Sequence, residues 1–154
     1  MIYFRTDVKR SGVNARRLKD DARKLLRAVG EQSSALSISL VHDGEIAVLN
    51  REHRGKDKPT DVLSFPLYPA GTATAAEGPE RLLGDVVISV DTAQRQAAEY
   101  EAPLQNEINR LLIHGILHVL GHDHEKPAER AAMEAEERRL AAVIGMPWPY
   151  DDHA

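Results

Sequence analysis

Apolar residues crowd one late stretch of the chain. From about Leu104 to Leu120, the positions Ile108, Leu111, Leu112, Ile113, Ile116, Leu117, Val119 and Leu120 leave almost no polar side. A helix that is hydrophobic nearly all round is buried, so this spacing predicts a central core helix. Pro103 separates it from the helix before. Earlier, Leu18, Ala22, Leu25, Leu26 and Val29 recur at helical spacing, with Asn14 as cap and Gly30 as stop. Leu36-Ser-Ile-Ser-Leu40 alternates strictly and predicts a half-buried strand. Ile2 to Thr6, Val62 to Phe65 and Leu83 to Val90 predict three more strands, the second closed by Pro66. Asp91 is the expected cap of the following helix, with Gln94 as its capping-box partner. Pro127 opens a last helix to about Ile144, with Met133, Leu140 and Ile144 turned inward. Asp43-Gly44 permits either a hairpin into a strand at Ile46 to Leu49 or a short helix with Ile46 and Leu49 inside; periodicity does not separate the two. Residues 67–81 read as a flexible surface loop and 146–154 as a loose tail.

Strands and helices interleave, so the expected class is α+β, close to α/β. About four strands make a small mixed sheet, the apolar helix packs on it, and the other helices pack around. At 154 residues the chain is long enough for a real core and short enough for one domain spanning 1–154. No apolar run reaches membrane-spanning length, and the charged N-terminus lacks a signal-peptide core. There are no cysteines, which excludes disulfides and thiolate ligands and fits a reducing cytoplasm. A net charge of -4 argues against a generally sticky nucleic-acid binder, yet residues 1–27 carry nine Lys/Arg against three acids. That basic stretch is either a solvated helix face or a surface for phosphate backbone.

The chemistry concentrates at the end of the apolar helix. Four of the seven histidines fall in the eleven residues His114-Gly-Ile-Leu-His118-Val-Leu-Gly121-His122-Asp123-His124. His114 and His118 share a helix face at one-turn spacing. Gly121 readily takes the left-handed conformation that ends a helix, so the chain turns back and brings His124 to the same point. Three imidazoles with a fourth position open are the donor set of a catalytic zinc site. One divalent ion, expected to be Zn2+ at about 2.0–2.1 Å from each nitrogen, is held by His114, His118 and His124. His122 lies between ligands and is not expected to be one. A single buried histidine bonded to a backbone carbonyl would need no metal; three at this spacing point to one.

The histidine run resembles the metzincin protease motif H-E-x-x-H-x-x-G-x-x-H, except that Gly115 stands where the glutamate base belongs. As it stands, HGxLHxxGxDH is similar to the signature of the YbeY family, bacterial single-strand endoribonucleases that mature and survey ribosomal RNA. His122 sits where that family usually carries tyrosine. A second block, Leu49 to Pro66, matches the family pattern LNxxxRxxDKPTDVLSFP, and Gly84-Asp85 matches a third. The resemblance covers about residues 35–145. The resemblance favours the helix after Asp43. It implies a metal-dependent endoribonuclease with Arg54, His114 and His118 as catalytic residues. The implied substrate is single-stranded ribosomal RNA at the 16S 3′ end. Its partner would be the small ribosomal subunit, with no membrane and no DNA. Arg54 offers a planar fork suited to phosphate. Aromatics are sparse, so intrinsic base readout should be weak.

Two other functions fit the same residues. One is a metalloprotease-like zinc hydrolase on a peptide or small molecule, with Asp61, Asp85 or Asp123 as base. The other is a non-catalytic ribosome-assembly factor with a structural zinc. Gly115 has two explanations as well: close packing of the helix on the sheet, or open space beside the metal for an anionic strand. On the second, Gly115→Glu keeps metal and loses RNA cleavage.

Overall fold

β2 (Ala35–Val41) lies inside the sheet, paired on both of its edges. Leu36, Ile38 and Leu40 point into the main core, while Ser37 and Ser39 point the other way. The computed structural model describes residues 1–68 and 81–148. Strand order is β1-β2-β4-β3. β1 (Ile2–Thr6) and β4 (Leu82–Ser89) flank β2 in parallel, and β3 (Val62–Pro66) pairs antiparallel with β4. The sheet is therefore mixed, as expected. Pro66, which has no N–H to give, closes the edge strand β3.

Among the described residues the helices are α1 (Ala15–Ala28), α2 (Asp43–Arg54), α3 (Val90–Glu99), α4 (Leu104–Val119) and α5 (Pro127–Val143). α4 is the apolar helix, and it packs on β3 and β4 with α1, α3 and α5 against its remaining sides. Ile108, Leu112, Ile113, Ile116 and Leu117 lose all contact with solvent. One inward polar pair joins α1 to α4: Asn109 Nδ2 donates to Asp21 Oδ2 at 3.0 Å. α2 covers part of the opposite sheet face, where Ile46 packs with Val41, Leu63 and Val87 in a small second cluster.

The stretch after Asp43 is the helix and not the hairpin. Asp43 accepts hydrogen bonds from Ser89 Oγ at 2.6 Å and Thr92 Oγ1 at 2.7 Å, which ties the start of α2 to the β4–α3 junction. Asn14 caps α1 as expected, accepting from the Arg17 amide at 3.0 Å. The cap of α3 differs from expectation. β4 runs straight into α3, so Ser89 is the cap, its Oγ accepting from the Thr92 amide at 3.3 Å. Asp91 lies in the first turn and accepts instead from the Asp43 amide at 2.9 Å, while Gln94 is exposed. The tail is packed further than its composition implies. Met146 is buried and Trp148 lies against the main core. Most of the expected 67–81 loop, and the tail beyond Trp148, lie outside the described residues.

Candidate metal centre and cleft

The last turn of α4 ends in a Schellman motif. The Gly121 amide bonds the His118 carbonyl at 3.0 Å and the His122 amide bonds the Leu117 carbonyl at 2.9 Å. Gly121 takes a φ of +99°, which a side chain would resist. The chain reverses there and delivers His124 to the side of α4 that carries His114 and His118. Nitrogens of all three rings lie within 4.8 Å of one another, a group able to hold a metal ion. Nε2 of His114 and Nε2 of His118 are 3.0 Å apart. Ring centroids are separated by 4.5 Å (114–118), 5.2 Å (118–124) and 5.8 Å (114–124). His122 stays outside the group.

Burial, followed by the neighbouring charges of His114 and His124, pulls the His118 pKa down from 6.5 to about 4. His118 is therefore neutral at physiological pH, with a lone pair to offer. Two of the three donors are half-buried and His124 is exposed, so the group faces a cleft. No carboxylate belongs to the group, and the three nitrogens suit a borderline divalent metal such as zinc.

The cleft has a volume of about 420 Å³, and its walls bring the sequence candidates together. Arg54 lines it together with all three histidines. It is the last residue of α2, where Gly55 closes the helix with a φ of +69°. Thr60, Asp61 and Ser64 come from the segment entering and forming β3, and Asp123 from the turn before His124. Asp61 is held from two sides: its Oδ1 accepts from the Val62 amide at 2.7 Å and its Oδ2 from Gln96 Nε2 at 3.2 Å. Gln96 also donates to the fully buried Glu107, at 3.1 Å. Asp85 is not in the cleft. Its neighbour Val86 faces α4, so Asp85 points to the other face of the sheet, beside Arg5, Ser39 and His53. That removes it as a base for chemistry at the histidines.

One residue of the site was not anticipated. Glu137 of α5 is buried, and its Oε2 lies 3.0 Å from His114 Nδ1. The signal was present: Glu137 falls on the same stripe as Met133 and Leu140, so an acid occupies an inward position of the helix.

The family described as Endoribonuclease YbeY matches residues 4–145. The chain belongs to the YbeY family. The match begins well before residue 35, where the resemblance read from the sequence begins, and so takes in the basic helix α1. An Endoribonuclease YbeY of Anaeromyxobacter sp. (strain Fw109-5) is 50% identical over 133 residues, 86% of this chain and 66% of that protein. One from Halorhodospira halophila is 46% identical over 119 residues, 76% of this chain and 75% of that protein. The chain thus spans just under two thirds of the Anaeromyxobacter relative. The solution structure of TM1509 from Thermotoga maritima superposes with a TM-score of 0.64 at 26% identity, covering 94% of this chain and 89% of that one.

Two of the three YbeY blocks converge on the cleft. The histidine block makes its floor, and the second block runs from Arg54 through Asp61 into β3. Gly84 of the third block has a steric cause: a Cβ there would lie 2.4 Å from the Phe65 carbonyl oxygen on β3.

Proposed function

We propose that this chain is a metal-dependent endoribonuclease that cuts single-stranded RNA. His114, His118 and His124 hold one zinc ion, and Arg54 binds the phosphate. Ribosomal RNA in the cytoplasm, the 16S 3′ end on the small subunit, is the proposed substrate. The observation that carries the proposal is that Arg54 lines the same cleft as three converging imidazoles. The relatives, named endoribonucleases, supply the reaction class.

When bound, the metal supplies Lewis acidity toward a phosphodiester oxygen and activates the attacking group. The protein does the rest. Neutral His118 keeps its lone pair for the metal across the physiological range. The Arg54 guanidinium meets the negative charge that builds on the phosphate oxygens, with two parallel donors where an ammonium offers a point charge. Thr60 and Ser64 add hydroxyls to the wall. Among the described residues lining the cleft none is Phe, Tyr or Trp, so bases find little to stack on and cleavage depends little on sequence. Among the described residues no helix is long and apolar enough to cross a membrane.

The test is incubation of purified protein with a fluorescent single-stranded RNA and, separately, casein, each with and without EDTA. The expected result is RNA cleavage that EDTA abolishes and added zinc restores, with casein intact. Casein cleavage would support the hydrolase alternative, and metal-loaded protein inert to both would support the assembly factor.

A further inference from the structure

We propose that Glu137 is a positioning residue of the metal centre, fixing the ring of His114 so that Nε2 faces the other two ligands and, through its charge, raising the basicity of that nitrogen. The inference rests on the ligand assignment above. A carboxylate on the inward stripe of α5, only 9% exposed, forfeits its hydration and needs a specific partner. Among the described residues its hydrogen-bond partner is His114 Nδ1, at 3.0 Å. A carboxylate only accepts, so Nδ1 carries the proton and Nε2 keeps the lone pair. That same Nε2 is the atom 3.0 Å from His118 Nε2, where the ligands converge. A half-turn of the ring about Cβ–Cγ would break the bond to Glu137 and point carbon at that place.

Glu137 does not line the cleft that holds Arg54. It lies behind His114, in a smaller pocket of about 200 Å³ shared with Arg110, Arg130, Glu134 and Trp148. Glu137 therefore acts through His114 rather than on substrate. A carboxylate behind a ligating imidazole fixes its tautomer and raises its basicity, and loss of such a partner weakens metal binding about 10- to 100-fold.

The measurement is zinc affinity by chelator competition on the folded protein, together with melting of the metal-free form. Glu137→Gln can still accept from Nδ1–H through Oε1 but has no charge. It should melt like the wild type when metal-free and bind zinc more weakly. Glu137→Ala should weaken binding further, about 10- to 100-fold, and shift the visible bands of the cobalt-substituted protein. Glu134→Gln, in the same pocket without a bond to a ligand, should bind as the wild type does. Should Glu137→Ala fail to fold, Glu137→Gln carries the test. A wild type that takes up no metal overturns the ligand assignment and this inference with it. A wild type that binds zinc no tighter than Glu137→Gln overturns this inference alone.

Discussion

Gly115 on α4 lies so close to Val86 on β4 that a Cβ on the glycine would sit 2.6 Å from Val86 Cγ1 and 3.1 Å from Cγ2. This supports the first of the two explanations of that glycine, close packing of the helix on the sheet. Gly115 lets the central helix approach the sheet. Val86 is buried and β-branched, so it has little freedom to move aside. Gly115→Ala should therefore destabilise by about 1–3 kcal/mol through overpacking, despite the better helix propensity of alanine. Gly115→Glu should fail to fold, against the expectation that it keeps metal. Thermal melts decide it: an alanine variant as stable as the wild type would restore the open-space explanation.

Arg54 should behave in the opposite way. It is exposed at the end of its helix, and a surface substitution there should change stability by no more than about 0.5 kcal/mol. Arg54→Ala should keep its fold and zinc content while kcat on single-stranded RNA falls about 10²–10³-fold, the usual effect of removing one charge-stabilising donor. Arg54→Lys should recover only part. Full cleavage by Arg54→Ala would remove it from the site.

What could be read in the sequence was mostly local. His114, His118 and Gly121 announce their geometry because one helix turn and one left-handed glycine fix it. The strands follow from alternation in the same way. What could not be read depends on residues distant in sequence meeting in space. Gly115 and Val86 belong to different elements, and nothing in either segment reveals the contact. Asp61 and Asp85 look alike in sequence, and only the pleat of β4 sends Asp85 to the far face. Ser89 and Asp91 are both good caps, and the choice falls to Ser89 because the strand runs into the helix without a loop. Glu137 reads as an interruption of an apolar stripe until His114 is found beside it.

Asp43 offers a test of the frame that carries Arg54. Burial pushes its carboxyl up, but hydrogen bonds from Ser89, Thr92 and Arg95, with the Arg95 charge, outweigh this and hold its pKa below 3.8. A carboxyl whose pKa is lower folded than unfolded stabilises the fold above the unfolded value, and the stabilisation is lost as pH falls through the folded value. Asp43→Asn should therefore have a lower urea midpoint than the wild type at pH 7, with the gap narrowing in acid below about pH 3.8. A gap independent of pH would assign the loss to packing rather than charge.

His118 makes a separate prediction, for the protein stripped of metal. Its folded pKa of about 4 lies below the unfolded 6.5, because burial and the charges of His114 and His124 oppose a proton there. Between these two values the unfolded chain binds a proton that the folded chain refuses. Stability is thus full above pH 6.5 and declines as pH falls toward 4. His118→Gln, which cannot take up that proton, should flatten this decline in urea midpoints measured in EDTA. The metal-loaded protein should behave differently. Zinc binds only the folded state and adds about 2.7 kcal/mol at a free concentration 100 times Kd. It needs unprotonated imidazole, so that increment should fall away as pH drops toward the His118 value of about 4 and make the loaded protein's decline steeper than the stripped one's. Parallel declines with and without zinc would mean that the ion is not held by these histidines. An unchanged slope in stripped His118→Gln would place the acid sensitivity elsewhere in the fold.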